Sequence, residues 1–310
     1  MRRFWIDTDT ASDDAVAILM ALRTPDVSVE GISVVAGNVP VEMGARNARY
    51  TVELCGKETP VYLGASKPLL RNPDYAYFFH GPDGMGGTNP GEPKLLPQST
   101  HAVPAFIEAV RKYPDEITLV ALGPLTNLAL AFAQAPDVAA KIKMCYVMGG
   151  VANTLGNITP AAEFNIWFDP EAARMVFHSG LRLMMVGWEH CRWDANLNET
   201  EIQAMRAFKS PYADFAININ TTATKINREI YGEPGMTLPD PITMAIAIDP
   251  AIVLRSGNYF VEVETQSDLT RGATVVDELN VTRRPPNAEV CRQIDIPRWK
   301  ETLYRALRQV

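Results

Sequence analysis

The sequence predicts an α/β protein: an open, mostly parallel central sheet flanked by helices, with a smaller helical portion after about residue 195. Apolar runs such as "GISVVAG", "ITLVAL" and "KIKMCYVMGG" alternate with helix-period segments through the first 190 residues. Strands that are apolar on both faces belong to parallel sheets covered by helices on both sides. No Pro/Gly/Ser-rich linker, internal repeat or low-complexity tract breaks the pattern, so residues 1–310 are read as one domain with insertions.

Taken in order, Phe4, Trp5 and Ile6 end a buried strand, and Ala15, Ile18, Leu19 and Leu22 then share one helix face. "VSVEGISVVAG" is a β-branched strand ending in Gly37-Asn38. A helix carrying Ala45, Ala48, Val52 and Cys55 follows, then a short strand, "PVYLGA". Residues 65–98 are rich in Gly, Pro and aromatics and too long for an ordinary connection, so they read as a functional lid or a disordered stretch. From Ser99 a helix bearing Phe106, Ile107 and Val110 leads to "ITLVAL", and "GPLTNLALAFAQ" turns into the next helix. "KIKMCYVMGG" is another strand, "DPEAARMVFHSG" a helix with an acidic start and a glycine stop, and "LRLMMVG" a strand. The chain is then mainly helical to about residue 249, and two late strands ("NYFVEVET", "EVCRQIDI") and a terminal helix close it.

Bulk properties exclude several classes of function. The formal net charge is −7 and Lys and Arg are scattered, which argues against nucleic acid as a partner. Apolar runs are too short to span a bilayer, and "MRRFWIDTD" lacks the apolar core of a signal peptide, so no membrane is expected. Cys55, Cys145, Cys191 and Cys291 lie far apart with no CxxC pair, which fits a reduced, cytoplasmic setting.

The densest chemistry lies at the start. Asp7, Asp9, Asp13 and Asp14 fall within eight residues, where a strand gives way to a helix. Open α/β sheets bind ligands at that kind of place. A helix N-terminus favours one or two negative charges and cannot neutralise four, so a divalent cation is the simplest remedy. All-oxygen ligands suit Ca²⁺ or Mg²⁺ better than zinc. The plain alternative is that Ser12, Asp13 and Asp14 cap the helix while Asp7 is solvated.

Other strand exits carry polar groups of the kind a sugar site needs: Asn38, the backbone at Leu122-Gly123, and Met148-Gly149-Gly150. "GNITPAAEFNIWFDPEAA" adds Asn157, Glu163 and Asn165, which taken alone serve equally well as a loop hydrogen-bond network. Asp240 precedes a proline at a helix start, where an Asp is more often a cap than a ligand.

"DTDTASDDAVAIL" resembles the DxDxxxDD signature of the inosine–uridine nucleoside hydrolase family. "AGN", "LGPLTNLALA", "MGG", "GNITPAAEFNIWFDPEAA" and "DPITMAIAIDP" are similar to that family's later blocks, in order and over nearly the whole chain. The resemblance implies calcium-dependent cleavage of the N-glycosidic bond of ribonucleosides, giving ribose and free base, by a homodimer or homotetramer. It implies that Asp9, Asp14 and Asp240 hold Ca²⁺ with side chains and Leu122 with its carbonyl. Asp9 would be the general base toward a calcium-bound water, and Asp7 would stand behind the metal ligands. Asp13 and Asn165 would grip the ribose 2′ and 3′ hydroxyls with Asn38 in support. Asn157 and Glu163 would reach the 5′ side, with Met148 lining the floor.

Base-side roles are implied for His80, Asn227 and Tyr231, and aromatics of "YAYFFH" would clamp the base. One departure stands out: Pro239 occupies the position where many members carry a leaving-group His. That points to a purine preference or an unusual base. Two rivals are a calcium-dependent nucleoside-binding protein without turnover and a haloacid-dehalogenase-type phosphatase with Asp7 as its nucleophile.

Overall fold

The computed structural model describes residues 1–152 and 154–309. The first half runs β1 (Arg2–Thr8), α1 (Ser12–Leu22), β2 (Val27–Val34), α2 (Val41–Leu54), β3 (Val61–Leu63), α3 (Tyr77–His80), α4 (Ala102–Lys112), β4 (Ile117–Ala121) and α5 (Thr126–Gln134). It continues through β5 (Met144–Met148), α6 (Phe164–Phe168), α7 (Pro170–Phe177), β6 (Leu183–Val186), α8 (Glu199–Arg206), α9 (Pro211–Ile219) and α10 (Thr221–Ile226). The chain ends with α11 (Pro239–Ile248), β7 (Val253–Tyr259), β8 (Val261–Val263), β9 (Thr274–Val276), β10 (Ala288–Ile294) and α12 (Ile296–Leu307).

Eight strands form the main sheet in the order β3-β2-β1-β4-β5-β6-β10-β7. Neighbours are parallel except β10 and β7. The expected mostly parallel sheet is therefore present. Because β2 and β3 lie on one side of β1 and β4 to β6 on the other, the winding reverses between β1 and β4. A crevice opens at the carboxyl ends of strands at such a reversal.

Alternation along β1 divides the core. Phe4 and Ile6 join the apolar cluster containing α1, α11 and α12. Trp5 faces the cluster beneath α4, α5 and α7, stacking on Tyr62 at 5.6 Å. Every residue of α1 is buried, so its sequence is apolar on all sides rather than on one stripe.

Two expectations need correction. "NYFVEVET" is not one strand: β7 pairs antiparallel with β10, while β8 leaves the main sheet and pairs with β9. β7 begins among exposed residues at the sheet edge, and β9 has only three residues, so neither gives a clear apolar signal. Residues 65–98 are mostly irregular but not without internal structure. The Asp83 carboxylate accepts the backbone N–H groups of Met85 and Gly87 at 2.8 Å and of Asn89 at 2.6 Å.

Leu119 is fully buried in the middle of β4. Leu119→Ala is expected to cost about 2–5 kcal/mol through lost burial and a residual cavity. Urea unfolding should show a lower midpoint at unchanged slope, and an unchanged midpoint would contradict this packing.

Candidate active site

Three of the four N-terminal acids meet at the crevice; the fourth does not. Successive residues of a strand point to opposite faces, and Asp7 turns with Trp5 away from the crevice. Its Oδ1 accepts hydrogen bonds from the Ser33 hydroxyl and, at 2.9 Å, from Asn127 Nδ2. Asp7 is buried on the far side of β1 from the crevice, held by Ser33 and Asn127, so the phosphatase reading loses its nucleophile. Its backbone carbonyl accepts the Leu122 N–H at 2.7 Å, which sets the exit of β4 against that of β1.

Asp9, Asp13 and Asp14 are joined by Asp240 from α11, and all four are buried. One carboxylate oxygen from each of Asp13, Asp14 and Asp240 lies within 4.8 Å of the others. Asp14 contacts both Asp9 and Asp240. Asp14 also caps α1, its Oδ2 accepting the Ala11 N–H at 3.0 Å, while Oδ1 accepts the Thr8 hydroxyl. Capping accounts for that one acid alone. α11 starts at Pro239, so Asp240 lies inside its first turn, and the helix start has no side-chain cap bond. The cap expected for Asp240 is therefore not its role.

Asp9 sits in a closely fitted cradle. Its Oδ2 accepts the Asn38 N–H. A Cβ added at Gly37 would lie 2.1 Å from Oδ2, and one added at Gly123 would lie 2.8 Å from Oδ1. Only glycine lets the two strand exits close on this carboxylate.

Above the acids opens a cleft that reaches the surface. Asp13 and Asp240 reach its surface, along with Asn38, Leu122, Met148 and Asn165. Asn165 Nδ2 donates to Leu122 O at 2.8 Å and to Met148 O at 3.3 Å, tying two strand exits together. Glu163 caps α6: its Oε1 accepts the Asn165 N–H, and its Oε2 accepts those of Gly150 and Ile166. Asn157 lines the same wall, its Oδ1 accepting the Phe164 N–H at 2.9 Å.

The opposite end is aromatic. Phe78, Phe79, Trp188 and Tyr231 line it with Pro239 and Thr237. Tyr231 centres lie 6.4 Å from both Phe79 and Trp188, and its hydroxyl donates to Asn157 O at 3.1 Å. His80 is buried here, with Nδ1 2.9 Å from the Ser12 hydroxyl, and burial lowers its pKa to about 3. Its imidazole is neutral at pH 7. Asn227 is not among the lining residues: it starts the π-helical turn Asn227–Tyr231 and donates to the Thr237 hydroxyl, which does line the cleft. His190 bonds Cys291 O at 3.0 Å, a structural role.

Sequence reasoning passed over Trp188 and Thr237. Trp188 follows Gly187 at the exit of β6, and the strand-exit rule that selected Asn38 and Met148 would have found it. Thr237 has no comparable signal.

Electrostatics identify what this pocket lacks. Desolvation, then repulsion from Asp14, raises the pKa of Asp13 to about 8 and that of Asp9 well above its usual range. Asp240 is raised for the same two reasons, and Asp14 mainly by burial. Burial also lifts Glu163 to about 7. No Lys or Arg lines the cleft among the described residues. Among the described residues, Asp9 Oδ1 and Asp13 Oδ1 are buried without any hydrogen-bond partner. Orphaned carboxylate oxygens in an all-oxygen donor set fit a hard divalent cation.

The profile of the family described as inosine-uridine preferring nucleoside hydrolase matches residues 4–301. A pyrimidine-specific ribonucleoside hydrolase of Salmonella arizonae is 37% identical over 305 residues, covering 98% of this chain and 97% of its own. Among solved structures, a plant nucleoside hydrolase superposes with a TM-score of 0.93 at 31% identity, covering 100% of this chain and 99% of its own. A purine-preferring ribonucleoside hydrolase from Gardnerella vaginalis gives 0.91 at 28% identity, covering 99% and 98%.

The raised carboxylates carry a stability consequence. The folded state of Asp13 holds its proton between the ordinary 3.8 and about 8, so without a cation the cluster's contribution to stability falls as pH rises through that window. In EDTA the thermal midpoint is expected to fall from pH 5 to 8, and a saturating divalent cation should flatten the fall. Asp240→Asn should raise the midpoint in EDTA and erase the response to cation. A midpoint in EDTA that climbs over this range contradicts the electrostatic account.

Proposed function

The chain belongs to the inosine-uridine preferring nucleoside hydrolase family and is a ribonucleoside N-glycosyl hydrolase, and from that premise we propose a calcium-dependent reaction in which Asp9 is the general base and purine ribonucleosides are preferred. The observation that carries the reading is the buried acid cluster with its orphaned oxygens, opening into a cleft that is polar at one end and aromatic at the other.

In this scheme Asp9, Asp14, Asp240 and the Leu122 carbonyl hold the calcium. When bound, calcium supplies positive charge and Lewis acidity at the sugar end, which orients the diol and eases removal of a proton from water. Asp13 accepts hydrogen bonds from the sugar hydroxyls. Asn165, its amide oriented by the Nδ2 bonds to Leu122 and Met148, would use Oδ1 for the same task. Asn157 and Glu163 face the 5′ side.

Asp9 takes the proton as the water oxygen bonds to C1′. The C1′–N bond breaks, and its electron pair leaves with the base. Carboxylates around the ribose stabilise the positive charge that builds on the sugar in the transition state.

Pro239 donates no proton, so the base end works by other means. Phe79, Tyr231 and Trp188 offer ring faces to a planar base, and a purine has the larger face to stack. In this scheme the Ser12 hydroxyl donates to Nδ1 of the neutral His80, the tautomer in which Nε2–H is the hydrogen-bond donor to the departing base. The base then takes its proton from solvent.

Ribose release should be abolished by EDTA and restored by excess calcium. Asp9→Ala should lower kcat by ~10²–10⁴-fold with the fold unchanged by circular dichroism. Across common nucleosides, kcat/KM should be higher for inosine and guanosine than for uridine and cytidine. Calcium-independent turnover would overturn the metal assignment, and a pyrimidine preference would overturn the stacking argument.

A further inference from the structure

Beyond β5 the chain leaves the sheet through Gly149, Gly150 and Val151, and the backbone of Gly150 links both ends of the cleft. Its N–H donates to Glu163 Oε2 at 2.9 Å, and its carbonyl accepts the Trp188 N–H at 2.9 Å. Gly150 has φ +73°, a conformation that favours glycine. A Cβ there would lie 2.7 Å from Cγ2 of Thr274, which packs directly over it.

Thr274 belongs to β9, outside the main sheet. Its hydroxyl accepts the Val151 N–H at 2.9 Å and donates to Val151 O at 2.6 Å. One buried hydroxyl thus satisfies both backbone groups of a residue that has lost its strand partners. The segment linking β8 to β9 is itself anchored: Arg271, almost fully buried, makes a two-pronged ion pair with Glu171 at 2.7 and 3.0 Å. Glu171 lies in the first turn of α7, directly after the α6 turn that Glu163 caps. The hairpin therefore grips the chain on both sides of the Glu163 carboxylate.

We propose that Thr274 is a positioning residue for Glu163: through Val151 it holds the Gly150 N–H that fixes how the carboxylate faces the sugar's 5′ end. Of the three N–H groups on Glu163, those of Asn165 and Ile166 come from its own helical turn. Among the described residues only the Gly150 N–H comes from another segment, and that bond ties the carboxylate to the β5 wall. The inference rests on the reading of Glu163 as the group that meets the 5′ hydroxyl.

The test is the ratio of kcat/KM for a ribonucleoside to that for its 5′-deoxy analogue, measured with calcium-loaded enzyme. Thr274→Val keeps the side-chain shape and removes both hydrogen bonds. It is expected to lower the ratio by roughly tenfold, the scale of a hydrogen bond to a charged group. Thr274→Ser, which retains the hydroxyl, should stay within about twofold of wild type. A merely structural loss lowers the active fraction for both substrates alike and leaves the ratio unmoved.

Glu163→Gln separates the two layers of the argument. If wild type does not favour the 5′-hydroxyl substrate and Glu163→Gln changes nothing, the reading of Glu163 fails. If wild type and Glu163→Gln differ but Thr274→Val discriminates as well as wild type, the positioning role alone is overturned. Should Thr274→Val not fold, Thr274→Cys, a weaker donor and acceptor of similar size, is read the same way: a reduced ratio supports the role and an unchanged ratio overturns it.

Discussion

Mutual repulsion among Asp9, Asp13, Asp14 and Asp240 is the constraint around which the rest of the structure is arranged. Four carboxylates removed from water and set side by side are unfavourable unless protons or a cation compensate them. The fold supplies part of the compensation through the Asn38 and Ala11 N–H groups and the Thr8 hydroxyl. Among the described residues it leaves two of the cluster's oxygens without a hydrogen-bond partner. The glycines flanking Asp9 and the placement of Asp240 in the first turn of α11 bring these groups closer together instead of relieving them. A structure that stabilised only itself would have no use for such a cluster.

Strand alternation decides which acids take part. Asp7 and Asp9 are two residues apart, yet the strand ends at Thr8 and the chain turns there, so Asp9 swings into the crevice while Asp7 keeps the direction of Trp5. Asp7 then organises the opposite side of the sheet with Ser33 and Asn127. Its carbonyl still governs the crevice by holding Leu122 in place. One short segment thus serves the site with Asp9 and the framework with Asp7.

Much of this was legible in the sequence. Near-continuous apolar strands between helix-period segments identified the sheet, and the rule that ligands gather at strand exits located Asn38, Leu122 and Met148. Density of charge marked Asp9, Asp13 and Asp14, since capping needs only one acid and the structure uses only Asp14 for it. Other features depend on distances along no single segment. Asp240 reads as a cap because Asp-Pro usually is one; only the start of α11 one residue earlier shows otherwise. Thr237 carries no local pattern, Trp188 is marked only by its place just past the exit of β6, and β8 and β9 are too short for periodicity to register. Asn227 was expected against the base, and its partner Thr237 holds the lining position instead.

The central claim, that the acid cluster is a cation site rather than a framework of buried protonated acids, is tested most directly by calorimetric titration of the metal-free protein with calcium near pH 7, in buffers of different ionisation enthalpy. The account predicts one ion bound per chain, with an observed heat that varies with the buffer because protons held by the crowded carboxylates are released as the ion enters. No saturable binding, or binding that releases no protons, would contradict it.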